Sequence, residues 1–532
     1  MNKKVISIIL SLSLIISVFP LTVFADGKGT VNGTVRYCAG HTDNSHDYET
    51  DFTYSDDYFS AGSYEFRYDL AVCSFALALS AFSSVDAGIL NQDINFISFA
   101  QQCGFGNIVS NEWYKKPATC NSIGVCCASK ELSSGCTLIA VGIRGNNYGR
   151  EWGGNFVMGT EGEHEGFATC REQVLAFLSD YIASQHITGK IKLWMSGYSR
   201  GAATANMTAA KLDLGYSLSN GVSLAPEDIY CYTFEAPMGA QKEETLNPVF
   251  DNIKNIINSN DIVVYCCFEN WGFSRYGIDY YLPDSSMDGY AELKDEMLKV
   301  FSETPNTGGA YSLDDFRYIG TDLCDDGSRI SQREFYPMLV DALLTDFASS
   351  REEYVRDIQD DLSEVLAFVL NIPNCDFSVV LTEFAQKLED NWQDIMKLSK
   401  GHGAQAALNI ALLIEDMLIE SFRISGLTLF DTQQMNTAIY SLASKFVGFA
   451  VKHPDLVATV LANAVTIIKP HFPEYTISWL KTLPEDFLGN SNAASATKTV
   501  VHNPMFTSVF SVSDKLTALF EKVIQLLPLI KL

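Results

Sequence analysis

Hydrophobic and polar positions divide the chain into two styles. Up to about residue 284, apolar residues gather in short runs: 122–129, 136–143, 190–195, Ile229–Phe234 and Ile253–Ile257. Their brevity, their β-branched and aromatic content and their polar borders predict buried strands. Longer stretches at 68–82, 170–183 and 203–212, rich in Ala, Leu and other helix-compatible residues, predict helices between them. Strands alternating with helices predict an α/β protein with a mainly parallel sheet. Ahead of these, residues 26–60 are polar and rich in Asp, Thr, Tyr and Gly, the composition of a loop-rich lead-in.

Beyond residue 284 the strand-like runs give way to helical periodicity. Ser331 with Glu334 reads as a capping box ahead of Phe335, Met338, Leu339, Ala342 and Leu343. Ser349 with Glu352 reads as another, opening a helix with Val355, Ile358, Leu362, Val365 and Val369 on one stripe. Further apolar helices are expected at 404–424 and 437–468. Residues 285–467 are therefore read as a helical insertion or cap on an α/β core, with an independent helical domain as the alternative. The expected division is 1–25, a leader; 26–284, the first part of the core; 285–467, the insertion; and 468–532, a return to the core followed by a helical tail.

The leader reading rests on Lys3 and Lys4, the apolar run 5–19, and Val23-Phe24-Ala25. This is the charge, apolar core and small-residue end of a secretory signal peptide cut after Ala25. No later stretch is apolar and uncharged for the ~18 residues that a spanning helix needs, so a soluble, exported chain is expected. The formal net charge is −27, and loss of the two leader lysines makes it more negative still. Such a chain repels phosphate backbones, which argues against a nucleic-acid partner. The 47% hydrophobic content, 12% of the chain being aromatic, is that of a globular protein. Of the 13 cysteines, the vicinal pairs Cys126-Cys127 and Cys266-Cys267 lie in strand-like runs and are expected as buried thiols. Cys38, Cys103, Cys120, Cys136, Cys170, Cys324 and Cys375 are freer to form disulfides, with no connectivity legible. No Cys/His spacing suggests zinc, and no metal or organic cofactor is implied.

The candidate chemistry is concentrated at Gly197-Tyr198-Ser199-Arg200-Gly201. A strand-like run precedes this Gly-x-Ser-x-Gly and a helix-compatible run follows it, the setting of a nucleophile elbow. The glycines permit a sharp turn with Ser199 at its tip, and the following N–H, that of Arg200, points where an oxyanion would form. A serine hydroxyl needs a base, and the base an orienting acid, which in this fold class follow in the order Ser, Asp or Glu, His. Asp261 is the favoured acid because it follows a strand-like run, whereas its rival Asp251 precedes it. His402, His453, His471 and His502 are the histidines that remain.

Five short motifs in this order resemble the class 3 lipases, secreted fungal-type triacylglycerol lipases of the α/β-hydrolase fold. Gly-Tyr-Ser-Arg-Gly-Ala-Ala at 197–203 is similar to that family's Gly-His-Ser-Leu-Gly-Gly-Ala. Ile143-Arg144-Gly145-Asn146, with Trp152 after it, resembles the oxyanion segment, which implies Asn146 as the second oxyanion donor. His164-Glu165-Gly166-Phe167 resembles a structural His-x-Gly-Phe, and Tyr232-Thr233-Phe234-Glu235-Ala236-Pro237 a Tyr-Thr-Phe-Gly-x-Pro. Asn260-Asp261-Ile262-Val263 resembles the segment around the catalytic aspartate, and His471, with Tyr475 and an apolar run behind it, the segment of the catalytic histidine. The resemblance covers roughly residues 68–283 and a piece near His471, and it implies that 147–156 forms a lid. Asn146, Arg200 and Glu235 depart from the pattern, standing for a hydroxyl residue, a leucine and a glycine. These departures bear on the substrate, and the charged Arg200 side chain on what the acyl pocket accepts.

The expected protein is thus an exported α/β-hydrolase with a helical cap that cleaves carboxylic, acyl or lipid, esters. Ser199 is its nucleophile, His471 its base, Asp261 the orienting acid, and Arg200 and Asn146 its oxyanion donors. Its partners are an ester or lipid substrate and, transiently, a lipid interface. A peptidase or amidase using the same triad, and a non-catalytic interaction protein on the same fold, are the competing readings.

Overall fold

The computed structural model describes residues 29–38, 46–88, 91–145, 149–218, 221–285, 287–305, 332–369, 433–453 and 469–488, together with 323–324, 329–330, 456 and scattered positions from 387 to 421. The leader, Asn146, His402, His502 and residues 489–532 lie outside the described residues.

The lead-in is a hairpin rather than a loop. Strand β1 (Val31–Tyr37) pairs antiparallel with β2 (Tyr48–Tyr54), in register from Val31↔Tyr54 to Tyr37↔Tyr48. Val35, Tyr37, Phe52 and Tyr54 are buried on one face while polar residues alternate with them, a period of two that the polar composition hides. The hairpin lies on helix α1 (Tyr68–Ser80), and α2 (Ile94–Gln102) follows.

Next come β3 (Gly106–Ser110), β4 (Val125–Glu131), β5 (Thr137–Ile143), the short helix α3 (Gly149–Gly154) and the long helix α4 (Glu165–Ser184). Strand β6 (Ile191–Tyr198) leads into helix α5 (Arg200–Asp213), and β7 (Ile229–Phe234) follows. The two-residue β8 (Ala240–Gln241), β9 (Ile253–Ile257), the two-residue β10 (Phe273–Ser274) and β11 (Ile278–Tyr281) complete the core strands. Seven of these form one sheet in the order β11-β9-β7-β6-β5-β4-β3. Strands β5, β6, β7, β9 and β11 run parallel, and β4 pairs antiparallel with both β5 and β3. With helices on both faces this is the α/β-hydrolase architecture, a mainly parallel sheet carrying a helical insertion.

Alternation along β6 shows how the core is divided. Trp194 points to the face covered by α1 and the hairpin, where its indole N–H donates to Ser74 Oγ at 2.8 Å. Leu193 and Met195 point to the opposite face, among Val174 and Leu178 of α4 and Met207 of α5. A strand buried on both faces reads as a mainly apolar run without alternation, as β7 does, while β9 also buries Lys254 and Asn255.

After α6 (Tyr290–Glu303) come two two-residue strands, β12 (Leu323–Cys324) and β13 (Arg329–Ile330), and then α7 (Gln332–Phe347). The single helix expected from Val355 to Val369 is two, α8 (Arg351–Asp357) and α9 (Gln359–Val369), broken at Ile358 with φ −130°. The break turns Gln359 toward the core, where its Oε1 accepts from the N–H of Met158 at 2.8 Å and of Gly159 at 3.3 Å. The cap of α8 also lies one residue later than expected: Ser350 accepts from Glu353 N–H. Helix α10 (Gln433–Lys452) is the next described helix, and α11 (Pro473–Thr482) returns to the core. Tyr475, Ile477, Trp479 and Leu480 of α11 join the α1 side of the core, while Tyr354 and Ile358 join the α4–α5 side. No helix among the described residues is long and apolar enough to cross a membrane.

The cysteines expected to be freer to pair include Cys103, Cys120, Cys136 and Cys170, which are thiols in the structure. Cys126 and Cys127 are buried in β4 as expected, but Cys266 and Cys267 follow a 3-10 turn rather than sitting in a strand. Cys375 lies outside the described residues.

Candidate active site

Strand β6 ends at Tyr198 and α5 begins at Arg200, which leaves Ser199 as a one-residue turn with φ 56° and ψ −125°. Two close approaches force this tightness. A Cβ on Gly197 would lie 2.3 Å from Gly201 O, and one on Gly201 would lie 2.4 Å from Ile143 O. The turn is tied to the sheet by Ser199 N–H, which donates to Phe234 O at 2.9 Å. Arg200 is the first residue of α5, so its N–H is among those a helix leaves for an outside acceptor. The strand that precedes Asn146 is held beside this turn, because Gly145 approaches so closely that a Cβ would lie 2.8 Å from Tyr198 O.

His471 closes the 3-10 turn Lys469–His471 just before α11, whose first residue is Pro473, a proline suited to a helix start. Its Nδ1 lies 2.6 Å from Asp261 Oδ2 and its Nε2 lies 2.9 Å from Ser199 Oγ. A carboxylate only accepts, so Nδ1–H donates to Asp261, and Nε2 is left to accept from the serine hydroxyl. Asp261 stands in the loop after β9 and caps the next 3-10 turn, its Oδ1 accepting from Val263 N–H at 2.8 Å. The two loops are sewn together by Asn258, whose Nδ2 donates to Pro470 O at 2.9 Å. The Tyr198 ring stacks on the imidazole with centroids 5.3 Å apart. Ser199 is 5% exposed, His471 4% and Asp261 0%, so the three meet in a site closed from water.

The other sequence candidates are elsewhere. Asp251 precedes β9, where its carbonyl accepts from Lys254 Nζ. His453 lies just past α10 and meets Asp346 at 2.9 Å. His164 is buried as the N-cap of α4: its Nδ1 accepts from Phe167 N–H, so Nε2–H donates to Asn155 O at 3.1 Å. Burial pushes its pKa down to about 3, and it stays neutral. The Arg200 guanidinium is buried, bonding Asn155 Oδ1 at 2.8 Å, Cys120 O at 2.9 Å and Cys170 Sγ at 3.0 Å, so its charge is committed to the fold. Arg144 likewise pairs with Glu151 at 2.7 Å with both side chains fully buried.

Three features escaped the sequence reading. The stacking of Tyr198 and the suture through Asn258 are tertiary and left no signal. Glu235 did leave one, a charged residue where the resemblance expects glycine. It has φ 52° and is buried, and burial first, then Asp261, raises its carboxyl well above the usual range. Among the described residues no group of three or more His, Cys, Asp or Glu could hold a metal ion.

A strand-turn-helix serine on a mainly parallel sheet, hydrogen-bonded to a histidine and through it to an aspartate, is the arrangement of serine hydrolases. Residues 140–271 match the family lipase (class 3). The segment that carries the elbow and Asp261 is thus of the class 3 lipase kind, and the enzyme class is carboxylic ester hydrolase. Similar solved structures include a Rhizomucor miehei lipase propeptide complex, at 19% identity over 41% of this chain and 68% of that one, with a TM-score of 0.29. Lipase II from Rhizopus niveus is 15% identical over 39% of this chain and 78% of its own, with a TM-score of 0.30. The lipase from Rhizopus microsporus var. chinensis is 13% identical over 49% and 84%, with a TM-score of 0.29. No curated protein sequence matches significantly.

Proposed function

We propose that the protein is an exported lipase-like esterase that works through Ser199, His471 and Asp261. Ser199 Oγ attacks the ester carbonyl, and His471 Nε2 takes its proton and then gives it to the leaving alcohol. Asp261 holds the imidazole and balances its charge. The N–H groups of Arg200 and Asn146 receive the oxyanion. Water activated by His471 then releases the acid and frees Ser199. The observation that carries this reading is the continuous hydrogen-bonded chain from Asp261 through His471 to Ser199, joining residues 210 and 272 positions apart.

The substrate is an apolar acyl ester, and residues 285–467 act as the cap that shields it, with 26–284 and the segment from 468 as the catalytic core. The near-complete burial of Ser199 supports a covered site. Export, with cleavage after Ala25, rests on the leader pattern. A fluorophosphonate probe together with p-nitrophenyl esters of increasing chain length tests the reading. Ser199→Ala should lose covalent labelling while keeping the folded circular dichroism spectrum, and turnover should rise beyond acetate. Persistent labelling of Ser199→Ala, or turnover best on acetate, would overturn the nucleophile or the substrate assignment respectively.

A further inference from the structure

Glu235 touches the segments that carry Asp261 and His471 and follows the residue that ties down Ser199. It follows Phe234, whose carbonyl holds the N–H of Ser199, and its own N–H donates to Ile256 O of β9 at 3.0 Å. Its Oε2 accepts from Asn258 N–H at 2.8 Å, in the loop that carries Asp261. Its Oε1 meets the Thr476 hydroxyl at 2.6 Å, in the helix that follows His471. The backbone there has φ 52°, a conformation that favours glycine, and the side chain is completely buried. A residue that bears both backbone strain and a buried carboxyl in one place is unfavourable unless its contacts are needed.

We infer that Glu235 is a positioning residue for the active site: its carboxyl clasps the Asp261 loop to the helix behind His471 and sets the register between acid and base. This rests on the triad reading above. Burial first, and then the neighbouring Asp261, favour the uncharged form of this carboxyl. The groups that face it are Asp261 on the β9 loop, Arg275 ahead of β11, Tyr198 at the end of β6 and Tyr475 of α11. Arg275 is occupied by Asp279 and by the carbonyls of Ala236 and Val264. The carboxylate of Asp261 repels a second negative charge beside it. Thr476 Oγ1–H donates to Oε1 and Asn258 N–H donates to Oε2, so the carboxyl joins the two segments by accepting from both.

Glutamine keeps a carbonyl to accept from Asn258 N–H, and its amide N–H reaches the Thr476 hydroxyl oxygen once that hydroxyl turns, so both contacts are kept without a carboxylate. Glu235→Gly suits the backbone and deletes the clasp. Thr476→Val removes one of its two anchors and leaves Glu235 in place. Purified full-length variants are compared on a p-nitrophenyl ester for kcat, KM and the pH profile of kcat/KM, with thermal melting and fluorophosphonate labelling alongside. Glu235→Gly is expected to lose roughly 10- to 100-fold in kcat, the scale of a displaced catalytic group, with KM and the melting temperature near wild type. Thr476→Val should fall between Glu235→Gly and wild type. Glu235→Gln should restore kcat and keep the acid limb where it is in wild type. A Glu235→Gly variant with wild-type kcat would overturn the inference. So would a folded Glu235→Gln that stays as slow as Glu235→Gly, or whose acid limb moves to lower pH, because either result means that a charge rather than a clasp is at work. Failure of the wild-type enzyme to label at Ser199 would instead remove the triad reading itself.

Discussion

Ser199 is held at φ 56° and ψ −125°, a backbone that only glycine adopts freely and that costs other residues about 1–3 kcal/mol. If the site stores strain for chemistry, Ser199→Gly should melt several degrees above Ser199→Ala in calorimetry, with both inactive on esters. His471→Ala should lose several powers of ten in turnover, as triad members do, while His453→Ala stays near wild type. His164 makes a prediction about acid. Folded, it is neutral with its pKa pushed down to about 3; unfolded, it returns to the ordinary value of about 6.5. Its contribution to stability is therefore complete above about 6.5 and is lost as pH falls toward 3, at up to about 1.4 kcal/mol per pH unit. Urea midpoints measured across that window should fall less steeply for His164→Asn, which keeps a side-chain acceptor at the N-cap. Ser199, Asp261 and His471 were legible as residues because their local settings differ: a glycine-flanked turn, a strand end, a loop before an apolar helix. Asn258 and Tyr198 were not, since nothing beside them in the chain marks what they touch in the fold.

Among the elements, strands buried on both faces were the easiest to read, and Ile229–Phe234 and Ile253–Ile257 have the bounds that their apolar runs suggest. The β1–β2 hairpin was missed because half of each strand faces outward, so its composition reads as loop. The break at Ile358 was missed for another reason. The helical stripe through Val355 and Leu362 is continuous in sequence, while tertiary contacts, among them those of Gln359 with the backbone of Met158 and Gly159, accompany the break. Arg351 reinforces that junction, donating to the carbonyls of Met158 and Gly159 at 2.6 Å and of Gly162 at 2.9 Å. Arg351→Ala should leave the sheet intact but open residues 158–163 to protease, seen as faster limited cleavage with little change in the far-ultraviolet spectrum. The elbow glycines allow no such latitude. Gly201→Ala places a methyl 2.4 Å from Ile143 O, a clash with backbone that cannot rotate away, and this variant should fail to accumulate as folded protein.

For the whole molecule, the net charge of −27 makes a prediction about the lipid interface expected as a transient partner. Anionic vesicles should repel it and neutral ones should not, so added salt should raise hydrolysis at anionic surfaces and leave it unchanged at zwitterionic ones. A vesicle assay at two ionic strengths reads this directly. The order in which the site is put together has its own consequence. His471 reaches Ser199 from 272 residues further along the chain, and a ribosome adds only about 5–20 residues per second. The nucleophile therefore emerges well before its base, on the order of ten seconds or more ahead at that rate. Until then, the proposed nucleophile has no base within reach. On the proposed triad, no ester can be cleaved by the chain until His471 has been made and has folded back onto the elbow.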